Sequence, residues 1–160
     1  MSRIDKQGLL KHLRSQFLLD WHGLHGIPHW ARVRLNGLML ARENGANAHV
    51  VELFSFFHDA RRVSEHGDAG HGARGSALAV QLRGRYFEAT SAEMDLLQEA
   101  CVQHSDGLTT GDITVLTCWD ADRLDLARAG VTPRALCTEA AKKETNLLKA
   151  RQRAVAWMLR

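Results

Sequence analysis

The 160-residue chain has only three cysteines, Cys101, Cys118 and Cys137, with no CxxC spacing among them. Their odd number and spacing argue against a disulfide framework or a cysteine-ligated zinc site, and fit a reducing cytoplasm. Excess charge is also scarce. Lys and Arg number 21 against 18 Asp and Glu, and no block of like charges marks a nucleic-acid arm. The pI near 9.0 is weakly basic and compatible with a phosphate-bearing ligand. No apolar run approaches the roughly 18 to 20 residues that cross a bilayer. The opening MSRIDKQGLLKHLRSQFLLD is polar and amphipathic, unlike a secretory signal. Repeats, low-complexity tracts and Pro/Ser-rich linkers are absent. A soluble, cytoplasmic chain is therefore expected, without membrane or specific nucleic-acid partners.

With 45% hydrophobic and 24% charged residues, the composition is that of an ordinary globular chain. Its length suits one well-buried core, so residues 1–160 are expected to form one domain. Apolar periodicity predicts a first helix from Ile4 to about Asp20 and a second from Pro28 to Glu43, stopped by Asn44 and Gly45. Asn47 is the expected N-cap of a third helix running through AHVVELFSFFHDARR. EHGDAGHGARGS reads as a loop before a short helix at GSALAVQL, and SAEMDLLQEACVQH as a further helix. Asp112 should cap a helix over ITVLTCWDADRLDLARAG, although ITVLTCW alone has strand propensity. One or two helices over 138–160 complete an all-α bundle of six or seven helices. A homodimer through the first or last amphipathic helix is compatible with this pattern.

Histidine is abundant, with nine residues, most of them between His12 and His71. His12, His22, His25 and His49 read as surface or loop residues. The adjacent pair His58 and Asp59 is different, because it interrupts a helix dense in apolar residues. A buried imidazole and carboxylate need hydrogen bonds, an opposite charge or a metal, since desolvating an unpaired ion costs several kcal/mol. His29, His104 and the run DADRLD from Asp120 to Asp125 likewise stand where tight packing is expected. Imidazole and carboxylate ligands suit Mn, Fe, Co, Ni or Zn. Asp120 and Asp122 lie ~200° apart on a helix and should not both face one ion. Trp30 and Trp119 adjoin these candidates and could wall a pocket.

An isolated histidine one helix before an adjacent His-Asp pair, then an Asp in ADRLD about sixty residues later, resembles the HD-domain superfamily of metal-dependent phosphohydrolases. The resemblance covers roughly residues 20 to 130, with helices 138–160 expected to pack on that core. It implies His29, His58, Asp59 and Asp122 as metal ligands. Asp122 is preferred to Asp120 because the family's last ligand is typically followed by a basic residue, here Arg123. The implied cofactor is a divalent ion, one or two per chain, with Mg as a further candidate. The implied activity is hydrolysis of a phosphoester or pyrophosphate bond in a small phosphorylated substrate, nucleotides included, by a metal-activated water. Arg62, Arg74 and Arg123 are candidate phosphate clamps.

The chain also departs from that pattern. Family nucleotidases often carry a Glu three or four positions after the His of the pair, where Arg61 and Arg62 stand here. Glu65, His66 and Asp68 on the following segment are candidate general bases. His71 and His104 loosely match members that insert two further histidines and bind a second metal, and they are candidates for that role or for substrate contact. GHGARG lacks the lysine and spacing of a P-loop. Two other readings stay open: a dinuclear-iron oxygenase of the same fold, and a non-catalytic metal- or ligand-binding module.

Overall fold

A computed structural model describes residues 3–159 and contains eight α-helices among them. These are α1 (Lys6–Gln16), α2 (Ile27–Asn44), α3 (Ala48–Phe57), α4 (His71–Leu82), α5 (Ser91–Gln103), α6 (Ile113–Arg123), α7 (Glu139–Lys142) and α8 (Glu144–Met158). A 3-10 segment, Leu124–Ala129, continues α6. The count exceeds the expected six or seven because of α7, a single turn begun where Thr138 Oγ1 accepts from Ala141 N. Among the described residues only isolated β-bridges occur, Ile4 with Phe87 and Arg83 with Phe87. ITVLTCW is helical: Asp112 accepts from Thr114 N, and Val115, Cys118 and Trp119, at helical spacing, are buried.

Local chemistry explains the helix ends. Gly45 takes φ 76°, a left-handed value, and returns its N–H to Ala41 O to close α2. Asn47 then accepts from His49 N and Val50 N to open α3. Thr90 and Glu93 form a reciprocal capping box at the start of α5. Arg3 grips the same Glu93 with two bonds of 3.0 and 2.6 Å, and Asn47 Nδ2 reaches it at 3.2 Å. Glu93 thus ties the N-terminal segment to the starts of α3 and α5.

The helices α2, α3 and α6 pack on one another, with α5 against α3, α4 and α6. Leu9, Trp30, Phe54, Phe57, Leu97 and Trp119 fill the space between them. A Cβ on Gly37 would lie 2.4 Å from Val51 Cγ1, so α2 approaches α3 closely only because this residue is glycine. The last helix, α8, lies along α2 and the 3-10 segment, where Arg153 Nη2 donates to Asn36 Oδ1 at 2.6 Å. No helix among the described residues is long and apolar enough to cross a membrane.

Four boundaries differ from expectation. The first helix ends at Gln16 rather than near Asp20. The third stops at Phe57, so His58 and Asp59 follow the helix instead of continuing it: Ala60 N bonds Phe57 O and Arg62 N bonds Asp59 O, tighter turns than an α-helix makes. The second half of EHGDAGHGARGS is helical from His71 onward. Beyond Arg123 the chain is 3-10 up to Gly130, whose φ of 73° ends it.

Candidate metal centre

Helix ends deliver the polar residues to one place. His29 stands in the first turn of α2, behind Gly26 and Pro28. His58 and Asp59 sit in the tight turn after α3, His104 caps the C-terminus of α5, and Asp122 lies in the last turn of α6. His71 opens α4, whose seating depends on two glycines. A Cβ on Gly72 would meet Cys101 O at 2.2 Å, and one on Gly75 would meet Phe57 O at 2.1 Å. The GHGARG stretch therefore wedges α4 between the ends of α3 and α5 and carries His71 inward.

Around His29 Nε2 lie His58 Nε2 at 3.1 Å, Asp122 Oδ1 at 3.2 Å and Asp59 Oδ2 at 3.4 Å. His58 Nε2 is 3.6 Å from the same Asp59 oxygen and 3.7 Å from Asp122 Oδ1. Asp59's other oxygen faces a second pair: His71 Nε2 at 3.3 Å and His104 Nε2 at 3.6 Å, themselves 2.8 Å apart. Two groups able to hold a metal ion, His29–His58–Asp59 and Asp59–His71–His104, thus share one carboxylate. The side chains of His29 and His58 are fully buried and that of Asp59 is 4% exposed, whereas Asp122 is 21% exposed. Solvent reaches the group on Asp122's side.

The outer nitrogens explain why the inner ones converge. Each Nδ1 faces an acceptor: Asp125 Oδ2 for His29 at 2.7 Å, Phe54 O for His58 at 3.1 Å, Asp68 O for His71 at 2.5 Å and Cys101 O for His104 at 2.7 Å. These acceptors assign the proton of each neutral ring to Nδ1 and leave a lone pair on Nε2. Two such lone pairs approach to 3.1 or 2.8 Å only with a positive species shared between them. A proton or a metal ion can serve, and the two imidazoles and two carboxylates around His29 and Asp122 fit a divalent transition metal.

Without an ion, protons take up that role. Burial works against a charge on His29, yet hydrogen bonds to Asp122, Asp125 and Asp59 carry its pKa from 6.5 up to about 10. Burial prevails at His58 and lowers it to about 4. Burial disfavours ionised Asp59 and Asp122 too, but the surrounding imidazoles hold both carboxyls below the usual range.

The remaining candidates have varied surroundings. Asp120 is fully buried and accepts from Cys137 N and Thr138 N, both at 2.7 Å, so it anchors the segment before α7 while Asp122 turns to the histidines. Arg62 reaches the cluster, with Nη1 3.3 Å from His71 Nε2 and 3.6 Å from Asp59 Oδ1. Arg74 holds Asp68 Oδ1 at 2.6 Å, and Asp68 Oδ2 accepts from Val63 N, so this pair braces the 63–68 segment. Arg123 donates to Ala135 O and Leu108 O and faces the Trp119 ring, away from the histidines. His66 is exposed, its backbone carbonyl accepting from Arg62. Glu65 pairs with His25 Nδ1, and the His25 ring lies 6.4 Å from that of His29. A groove of about 810 Å³ lined by Leu124, Leu147 and Val155, among others, shares no residue with the cluster.

Sequence reasoning missed Asp125 as a functional residue. It is fully buried, takes His29 Nδ1–H and is clasped by Arg32 through Nε at 2.7 Å and Nη2 at 3.1 Å. Its signal was its spacing: Asp125 follows Asp122 by three residues, so both can face one helix. His25 was missed because nothing in sequence links it to Glu65.

No family model and no curated protein matches the sequence. Among solved structures, a predicted HD superfamily hydrolase from an uncultured Thermotogales bacterium superposes with a TM-score of 0.69. The match covers 98% of this chain and 90% of that one at 21% identity. The all-helical order that brings His29, His58, Asp59 and Asp122 together is thus a fold this chain shares with that neighbour.

Proposed function

We propose that the chain is a metal-dependent phosphohydrolase cleaving a phosphoester or pyrophosphate bond in a small phosphorylated substrate, nucleotides included. The observation that carries this reading is the convergence of His29 Nε2 and His58 Nε2 with carboxylate oxygens of Asp59 and Asp122, each imidazole braced from behind through Nδ1. The name of the structural neighbour, a predicted HD superfamily hydrolase, supports it. His29, His58, Asp59 and Asp122 would hold a divalent ion, which would supply Lewis-acid activation of a phosphoryl oxygen and lower the pKa of a water toward neutrality.

The chain's own residues supply the rest. Asp125 fixes the His29 ring, and Arg32 keeps Asp125 in place. Arg62, tethered by Ser64 O and His66 O, offers a guanidinium beside the ligands to an anionic substrate. Glu65 and His25 form a carboxylate–imidazole pair suited to move a proton at the His25 ring. Asp122, 21% exposed, leaves the approach open to water and substrate.

Elemental analysis of the purified protein, with Asp59→Ala in parallel, tests the reading. About one transition metal per chain, lost in the variant, together with turnover on a panel of phosphomonoesters, phosphodiesters and pyrophosphates, is the expected result. Metal binding without turnover on any of them favours a binding module. Asp59's two engaged oxygens favour a second reading, a dinuclear-iron oxygenase, which requires two irons per chain and oxygen consumption.

A further inference from the structure

The two groups that share Asp59 differ in one respect. Around His29 and His58, the positions facing the lone pairs are taken only by the carboxylates of Asp59 and Asp122 and by each other. Beside His71, whose Nε2 also lies 2.8 Å from His104 Nε2, a permanent cation is already present. Arg62 Nη1 lies 3.3 Å from His71 Nε2, whose Nδ1–H is committed to Asp68 O, so the guanidinium donates into the lone pair that an ion would need. The same nitrogen lies 3.6 Å from Asp59 Oδ1, the oxygen facing this second pair.

Arg62 is not a passing visitor. Its Nη2 donates to His66 O at 2.9 Å, its Nε to Ser64 O at 3.3 Å, and its backbone N–H to Asp59 O at 3.1 Å. Its side chain is 11% exposed. A guanidinium stays charged at any pH the protein meets, unlike an imidazolium that a metal can deprotonate. An entering dication would face this fixed charge in a poorly solvated setting, where like charges repel strongly.

We propose that Arg62 is the resident second cation of the site, so that the chain holds one divalent ion at His29, His58, Asp59 and Asp122 and a guanidinium at His71 and Asp59 Oδ1. This rests on the metal-centre reading above and deepens it. Arg62 stands in the short stretch after the His-Asp pair, so the residue type there would set how many metals the same histidines hold.

Equilibrium dialysis against Co(II), followed by elemental analysis and Co(II) absorption spectra, tests it. Wild type should retain one cobalt per chain. Arg62→Gln should retain two, with second-ion affinity raised by at least about a hundredfold, and Arg62→Lys, which keeps the charge, should retain one. Arg62→Met carries the same expectation as Gln with a different stem, so the test survives if one variant folds poorly. Adding His104→Ala to Arg62→Gln should return the count to one. Two tightly held cobalts in wild type, or one in both uncharged variants, overturns the proposal while leaving the first site standing. No cobalt in any form overturns the metal-centre reading itself.

Discussion

His29 donates Nδ1–H to Asp125 Oδ2 at 2.7 Å, and Asp125 is itself clasped by Arg32, so the orientation of a candidate ligand on α2 is set from the 3-10 segment 96 residues later. Such outer partners hold the tautomer and aim of a ligating imidazole, and their loss typically weakens metal binding 10- to 100-fold.

Asp125→Asn keeps the shape and removes the charge. Co(II) titration should show affinity lower by about 10- to 100-fold, with helical circular dichroism retained. Arg32 and Arg128 lose a buried counter-charge, so the denaturation midpoint should also fall, by the equivalent of roughly 3 kcal/mol. Unchanged cobalt affinity would remove Asp125 from the site.

Proton release gives a second check. In the metal-free protein His29, with its pKa raised to about 10, is protonated at neutral pH, and an ion binding its Nε2 must displace that proton. Calorimetry in buffers of different ionisation enthalpy should show about one proton released per ion, with apparent affinity rising about tenfold per pH unit between 7 and 10. The same shift governs metal-free stability. A raised pKa contributes fully below the unfolded value of 6.5, and this contribution is lost as pH climbs through about 10. Asp59 and Asp122 act oppositely: their lowered pKa values stabilise above 3.8, with loss as pH falls below it. His58, lowered to about 4, adds stability that is lost as pH falls from 6.5 toward 4, so metal-free protein should melt highest near 6.5, and a curve still rising from 6.5 to 10 would contradict the assignment.

Much of this arrangement is legible in sequence because burying His58 and Asp59 in an apolar context demands partners, and His29 and Asp122 are the residues that meet them. The choice of Asp122 over Asp120 came from the family resemblance, helical geometry saying only that both should not face one ion; in the structure Asp120 is spent on Cys137 N and Thr138 N. What stayed hidden depends on long-range approach. Nothing local shows that Gly72 and Gly75 seat α4 against two carbonyls, so His71 read as a loop residue. Arg123 looked like a phosphate clamp until its guanidinium was found satisfied by Ala135 O and Leu108 O. Pairings such as His25 with Glu65 or His29 with Asp125 join elements far apart in the chain.

Asp120→Asn and Asp122→Asn should separate structure from chemistry. Asp120 accepts two backbone N–H groups, so its variant should lose roughly 1 to 3 kcal/mol of stability and keep its metal. Asp122, partly exposed at the edge of the cluster, should lose metal affinity, and loss of its pairing with protonated His29 should also lower the metal-free melting temperature at neutral pH. Metal lost from the Asp120 variant and kept by the Asp122 variant would reassign the ligand.

Glu65→Gln probes proton transfer apart from metal binding. Glu65 touches His25 but none of the candidate ligands, so cobalt content should match wild type. If the pair moves a proton in the rate-limiting step, kcat should fall by about 10²-fold or more with KM little changed. Unaltered kcat would leave the Glu65–His25 contact as a loop brace.

Gly75→Ala tests whether α4 seating and the second histidine pair are one feature. The added methyl would sit 2.1 Å from Phe57 O, a backbone atom that cannot swing away, so α4 must shift outward. Overpacking of this kind costs about 1 to 3 kcal/mol, readable in a denaturant midpoint. The shift would draw His71 from Arg62 and Asp59 while leaving α2, α3 and α6 in place. Loss of stability should therefore come with one retained cobalt, because His29, His58, Asp59 and Asp122 are carried by α2, α6 and the turn after α3. Loss of that cobalt would mean that the two groups sharing Asp59 are mechanically one.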